Sequence, residues 1–304
     1  MNEKPKIVVV VGSTASGKSS FAIDIARKFD GEIISADSMQ VYKYMDIGTA
    51  KPTLEERERV RHHMIDLVEP DEDFNVGVYV RGAKKVIEKL FKSNKQIIVV
   101  GGTGLYIKAL VRGLIGADGR SSKIRNDLEK EIECFGLKSL YDKLIKVDSD
   151  AAKRIHPNDR VRIIRALEVF YQTNQPISEL QKKHGFRERP YEALLIGIYH
   201  ERWELYKRIN DRVDEMIKNN LIAEVSSLLK QGYGPELKSM QSLGYKEISQ
   251  YIHGKDTLDN AVNLLKRNTR RYAKRQFTWF KRDELVRWLS DRNEMFRLVE
   301  EFYD

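Results

Sequence analysis

The chain of 304 residues contains a single cysteine, Cys134, which excludes an internal disulfide or a thiolate metal cluster and suits a reducing compartment. Long apolar runs are also missing. The longest purely aliphatic stretch, residues 7–11, falls far short of the roughly 20 apolar residues that a membrane helix needs, so no membrane span is expected. The opening MNEKPK has no apolar segment resembling a secretory signal, and a cytoplasmic setting is expected. The histidines are scattered apart from the pair His62 and His63, and without cysteine partners they form no recognisable zinc site. Internal repeats and low-complexity tracts are absent.

Acid is missing from one particular stretch. Lys and Arg number 54 against 45 Asp and Glu, a formal net charge of +9. Within KRNTRRYAKRQFTWFKR, residues 266–282, the cations Lys266, Arg267, Arg270, Arg271, Lys274, Arg275, Lys281 and Arg282 have no acidic neighbour in sequence and alternate with Tyr272, Phe277, Trp279 and Phe280. Such a block suits a polyanionic partner. A solvated basic helix face is the plainer alternative.

What is present is ample for a globular core, with 41% hydrophobic and 33% charged residues. The first third alternates short apolar runs with helical periodicity. Strands are expected over 6–11, 32–35 and 96–100, and helices over about 17–29 and 76–94, the last strand leading into GGTGLYIKALVRGL, which opens another helix. This alternation implies a parallel α/β sheet covered on both faces. From 117 to 185 charged helix-favouring stretches follow one another without a strand signal, as in an inserted all-helical subdomain. The apolar run ALLIGIY, residues 193–199, returns to the sheet, and the remainder reads as helical. The expected division is a catalytic core of residues 1–116 and 186–304, with an insertion of 117–185.

Gly12, Gly17, Lys18 and Ser19 fit the phosphate-loop pattern G-x-x-x-x-G-K-[ST] without a mismatch, between an expected strand and helix. Such a loop turns backbone N–H groups inward, the helix N-terminus favours negative charge, Lys18 adds a cation, and the Ser19 hydroxyl can ligate Mg²⁺. A nucleotide hydrolase of this type also needs an acid at the end of a second apolar strand. Here QIIVV runs into Gly101, Gly102, Thr103 and Gly104, with no carboxylate. The other candidate strand ends in Asp37, followed by Ser38, Met39 and Gln40, near the carboxyl ends of strands where ligands of open α/β sheets gather. Asp37 is either a functional carboxylate beside the loop or an N-cap holding a turn.

The segments GSTASGKS, ISADSMQVYKYMDIGTAKP, HHMIDL, GGTGLYIKAL, RALEV, GYKEI and RRYAKRQFTWFKR, spread in order over residues 12–282, resemble the tRNA dimethylallyltransferase (tRNA isopentenyltransferase) family of bacterial type. The resemblance implies a P-loop NTPase-like core whose loop, Gly12, Ser13, Thr14, Ala15, Ser16, Gly17, Lys18 and Ser19, grips the diphosphate of dimethylallyl diphosphate with Mg²⁺. The acceptor it implies is the N6 amine of the adenosine 3′ to the anticodon of tRNA. Since diphosphate is then a leaving group and no hydrolytic water needs activating, the missing second carboxylate is expected.

By the same resemblance Asp37 matches the general base, and Thr103 a position near both substrates with a hydroxyl free to donate. Asp37, Ser38, Met39 and Gln40 match the loop that reads the flipped adenine. Arg125 and the run Val161, Arg162, Ile163, Ile164 and Arg165 match segments contacting the anticodon arm, although pairing of these arginines with Glu129 or Glu168 competes. Arg208 and Arg212, one helical turn apart, resemble a clamp on the diphosphate or else a solvated face paired with Asp211 or Glu215. Arg270, Arg271, Lys274 and Arg275 would hold tRNA phosphates. A monomer is expected, with no membrane partner. Rival readings are a P-loop kinase of a small metabolite, an RNA-binding regulator without chemistry, and a transferase alkylating free adenine nucleotide.

Overall fold

The structure, a computed structural model, describes residues 4–114, 121–185 and 187–304. In chain order the elements are β1 Lys6–Val11, α1 Lys18–Lys28, β2 Gly31–Ser35, α2 Leu54–Arg59, β3 His62–His63, α3 Val76–Lys92, β4 Gln96–Gly101 and α4 Gly104–Arg112. Then come α5 Ser122–Phe135, α6 Leu137–Val147, α7 Ser149–Ala152, α8 Arg160–Thr173 and α9 Ile177–His184. The chain ends with β5 Glu192–Ile198, α10 Arg202–Lys218, α11 Leu221–Lys230, α12 Tyr245–Ile252, α13 Leu258–Lys281, β6 Val286–Leu289 and α14 Arg292–Tyr303.

The strands form one six-stranded sheet of order β3-β2-β4-β1-β5-β6, with every pair parallel. Central strand β1 reads KIVVVV because both of its faces are buried, leaving no position for a polar alternation. On one face Val8, Val10, Ile33, Ile98, Val100 and Ile196 pack with Phe21 and Ile25 of α1 and with Met295 and Val299 of α14. The connections diverge at β1. From it the chain moves out to β2 and β3, returns to β4, and later places β5 on the other side, so a crevice opens at the carboxyl end of β1. The phosphate-loop motif follows that end directly.

Two strands escaped the sequence reading. His62–His63 pairs with Ile33 and Ile34, and Val286–Leu289 pairs with β5, so the expectation of an entirely helical remainder after residue 199 is corrected. Neither segment carries an apolar run of its own, and each is a strand because an existing sheet edge supplies its hydrogen bonds.

The chain divides into two compact units, one comprising residues up to Lys108 together with Pro190–Asp304, the other Ala109–Arg189. The second unit thus begins earlier and ends later than the expected 117–185, and residues 115–120 and 186, where the expected boundaries fell, lie outside the described ones. Its core is Leu128, Leu140, Leu144, Ile163, Ile164 and Leu167. Among the described residues no helix is long and apolar enough to cross a membrane.

Candidate active site

The phosphate loop sits between β1 and α1, and Gly17 takes a left-handed conformation (φ 84°) that turns the chain into the helix. Lys18 opens α1 and its Nζ donates to the Ser13 carbonyl at 3.2 Å, arching over the loop. The outside of the loop is stitched to distant helices. Ser13 Oγ donates to the Ala273 carbonyl at 3.0 Å, Arg212 donates to Thr14 Oγ1 at 3.3 Å, and Gln276 Oε1 accepts from the Thr14 N–H at 2.8 Å. Gln276 also donates from Nε2 to the Gly102 carbonyl at 3.0 Å, so one buried amide ties the phosphate loop to the GGTG turn.

The second wall is the turn after β2. Ala36 N–H donates to the Val100 carbonyl at 2.7 Å and Ala36 C=O accepts from Thr103 N–H at 3.2 Å, which sews residue 36 onto the end of β4. Gly101 permits this approach, because a Cβ there would lie 2.2 Å from the Ala36 carbonyl oxygen. Substituting Gly101 by alanine is therefore expected to displace the Ala36–Asp37 backbone, costing about 1–3 kcal/mol and most of the activity; urea unfolding and a transfer assay on the same preparation measure both.

Asp37 follows immediately. Its Oδ1 accepts from Met39 N–H at 2.8 Å and Gln40 N–H at 3.3 Å, an Asx turn, while Oδ2 has no protein donor among the described residues. Asp37 therefore holds a turn, as one of its two readings expected, while its second carboxylate oxygen stays without a protein donor among the described residues.

Between these walls lies a cavity of about 400 Å³. Its polar lining includes Thr14, Lys18, Ser19, Asp37, Ser38, Arg212 and Arg275, and its apolar lining Met39, Ile209, Val213, Met216, Leu243, Leu265 and Tyr272. Burial lowers the Lys18 ammonium to about pKa 8, with Arg212 adding to the shift and Asp37 opposing it. Burial likewise lowers the Arg212 guanidinium, which Asp37 and Glu215 counter. Burial and then the Asp37 charge raise the Tyr272 phenol. Three cations, Lys18, Arg212 and Arg275, and one carboxylate therefore share a partly apolar chamber.

Several expected site residues act otherwise. Thr103 does not line the cavity, and its hydroxyl is engaged with the turn after β2: Oγ1 accepts from Ser38 N–H at 3.1 Å and donates to Ser38 Oγ at 3.5 Å. Gln40 lines the cavity, but its amide is engaged within the protein. Nε2 donates to the Thr49 and Ala50 carbonyls at 3.3 and 3.1 Å, and Oε1 accepts from Ser35 Oγ at 2.9 Å. Arg208 is no partner of Arg212 in a clamp: it is exposed and donates to Glu204 at 3.0 Å, and it does not line the cavity.

In the helical unit, Ile163 and Ile164 are buried at 0% and 2% exposure, so the 161–165 run cannot meet RNA as a whole. Helical periodicity turns those two inward while Val161 and Arg162 face solvent. Arg125 and Arg165 both bind the fully buried Glu168, at 3.2 and 2.9 Å, as the competing reading held. On α13, Lys266 is neutralised by Asp214 and Arg270 donates to Asn210 at 2.6 Å, whereas Arg271, Lys274 and Arg275 are exposed.

Sequence reasoning missed the strap over residues 46–51. Buried Lys51 donates to the Tyr42 carbonyl at 2.8 Å, to Asp46 at 2.5 Å and to Asp66 at 2.6 Å, and Glu224 accepts from the N–H groups of Asp46, Ile47 and Gly48. Gln276 was missed as well, since it lies unmarked among charges in the basic block.

A loop of the phosphate-binding pattern that shares one partly apolar chamber with a single aspartate among the described residues defines a P-loop protein with an enclosed site beside its loop. The comparisons with known proteins narrow the class. Residues 40–283 match the family model described as IPP transferase. The chain is 53% identical over 286 residues to the tRNA dimethylallyltransferase of Caldanaerobacter subterraneus subsp. tengcongensis, covering 93% of this chain and 91% of the relative. It is 50% identical over 288 residues to tRNA dimethylallyltransferase 2 of Geotalea uraniireducens, covering 95% and 93%. The crystal structure of the full-length tRNA isopentenylpyrophosphate transferase from Bacillus halodurans superposes with a TM-score of 0.72 at 40% identity, covering 99% of this chain and 96% of that one. A eukaryotic dimethylallyltransferase acting on tRNA gives 0.83 at 30% identity, covering 94% and 74%. The chain belongs to the tRNA dimethylallyltransferase family.

Proposed function

We propose that the protein transfers the dimethylallyl group of dimethylallyl diphosphate to N6 of the adenosine 3′ to the anticodon in tRNA, releasing diphosphate in the cytoplasm. The observation that carries this reading is the joint presence of Lys18, Arg212 and Asp37 in one chamber that also has an apolar wall of Ile209, Val213, Met216, Leu243 and Leu265. The loop N–H groups, Lys18 and Arg212 bind the diphosphate, and Ile209, Val213, Met216 and Leu243 shelter the five-carbon tail. The adenine amine is a weak nucleophile because its lone pair is delocalised into the ring. The N6–C bond forms as the allylic C–O bond breaks, the electron pair leaves on the diphosphate, and the N6 proton passes to Asp37.

The residues fit Mg²⁺ carried in with the diphosphate. The cavity-lining hydroxyl of Ser19, next to Lys18 at the start of α1, and the phosphate oxygens would hold it. Bound there, the ion supplies positive charge to the departing diphosphate.

On the RNA side, exposed Arg271, Lys274 and Arg275 meet phosphates, with Val161 and Arg162 of the helical unit as further contacts. Replacing Arg271 and Lys274 by glutamine is expected to weaken tRNA binding and to lower its salt dependence by roughly 0.7 per lost phosphate contact. A filter-binding titration across salt concentrations measures this, and an unchanged slope returns that face of α13 to plain solvation.

Labelled dimethylallyl diphosphate offered with unmodified tRNA, with adenosine monophosphate, or alongside ATP tests the reading. Label in tRNA alone is expected. Label only in the mononucleotide, or ATP turnover without transfer, overturns it.

A further inference from the structure

His200 occupies the three-residue gap between β5 and α10, largely buried, with both ring nitrogens engaged. Nε2 lies 2.9 Å from the carbonyl oxygen of Ser16, inside the phosphate loop. Nδ1 lies 3.2 Å from Glu204 Oε1, and Glu204 is in turn held by Arg208 at 3.0 Å. The Ser16 carbonyl and the Glu204 carboxylate both only accept, so at each contact the ring nitrogen is the donor and carries the proton. The relay Arg208–Glu204–His200 thus ends on the backbone of the loop that meets the diphosphate.

The choice of carbonyl matters. Ser16 C=O and Gly17 N–H belong to one planar trans peptide, so they point in opposite directions. Holding the oxygen outward on the imidazole aims the Gly17 N–H the other way, and that N–H has no acceptor among the described residues. The neighbouring Ser16 Oγ, buried and without a partner, offers the peptide no alternative anchor. Gly17 sits in a left-handed conformation with no side chain of its own to anchor it, so the imidazole is the side-chain partner of its preceding peptide among the described residues.

We infer that His200 is a positioning residue for the donor diphosphate, fixing the Ser16–Gly17 peptide so that the Gly17 N–H is presented to the anion. Glu204 orients the ring, and Arg208, outside the cavity, acts through Glu204. The inference rests on the reading that this loop takes the donor's diphosphate.

The test uses the full-length protein and three substitutions. Glutamine places an amide N–H where Nε2 stands, asparagine places one only where Nδ1 stands, and alanine places none. Affinity is measured for inorganic diphosphate and for dimethylallyl diphosphate by calorimetry, and KM and kcat are measured with tRNA. For His200→Ala and His200→Asn, Kd and donor KM are expected to rise about 3- to 10-fold, the scale of one lost hydrogen bond. In both, kcat at saturating donor and KM for tRNA are expected to stay within about two-fold of wild type, which also reports intact folding, and His200→Gln should restore most of the donor affinity. Unchanged diphosphate affinity in His200→Ala, or glutamine performing no better than asparagine, overturns the inference while leaving the donor site standing. Failure of the wild-type protein to bind either diphosphate overturns both.

Discussion

Replacing Asp37 by asparagine is expected to slow single-turnover transfer by roughly two to four orders of magnitude, the usual scale for loss of a positioned general base, with little change in tRNA affinity. Asparagine is the informative substitution because its amide oxygen can keep accepting from Met39 and Gln40 N–H, as Asp37 Oδ1 does. Alanine removes the base and the turn together, so it should lose the same rate and in addition unfold at lower urea. Rapid-quench measurement with donor and tRNA saturating separates these contributions. A wild-type rate in the asparagine variant would remove Asp37 from the chemistry and leave it as a turn residue.

The second large effect is expected at Lys18. Its ammonium is buried, arches to the Ser13 carbonyl and shares the cavity with Arg212. Lys18→Met keeps the length of the side chain and removes the charge. It is expected to lower kcat/KM by about two to three orders of magnitude, comparable to removing one preorganised donor from a site where negative charge develops. Arg212 remains in the cavity and keeps part of the anion binding, so the loss is expected to fall on the charge that Lys18 alone brings over the loop.

The same lysine sets a pH dependence. Burial brings it to about pKa 8, so in the free protein the charge is present below that pH and is lost as pH rises through it. A bound diphosphate favours the charged form. Affinity for inorganic diphosphate in the absence of metal is therefore expected to fall above about pH 8, and in Lys18→Met this step should vanish. Calorimetry from pH 7 to 9.5 reads both curves.

How much of this was legible beforehand follows from how local each signal is. The run KIVVVV followed by GSTASGKS announces strand, loop and helix within a few residues, and the structure places β1, the loop and α1 accordingly. Asp37 was legible because a strand end beside the loop is a property of the sequence. That one of its oxygens alone holds the turn was not, since the Asx turn depends on backbone geometry two and three residues further on.

Where the reading failed, the deciding contact lay far away in sequence. Val286–Leu289 is a strand only because β5 offers an edge to pair with. Thr103 supports Ser38 across 65 residues, and Gln276 joins Thr14 to Gly102 from the far end of the chain. Arg208 looked equivalent to Arg212 by helical spacing, yet one turn decides whether the side chain meets the cavity or Glu204. Ile163 and Ile164 failed for a different reason. Helical periodicity alone assigns them to the interior, and the resemblance had carried the run over as a block.

The most direct test is to follow diphosphate release and position-resolved mass spectrometry of the tRNA in one reaction, with isotopically labelled dimethylallyl diphosphate as the only donor. The expected result is one diphosphate released for each labelled group, with all of the label on N6 of the adenosine 3′ to the anticodon. Diphosphate released without label in the tRNA, or label elsewhere in it, would contradict a loop that holds the donor's anionic end while Asp37 receives the acceptor's proton.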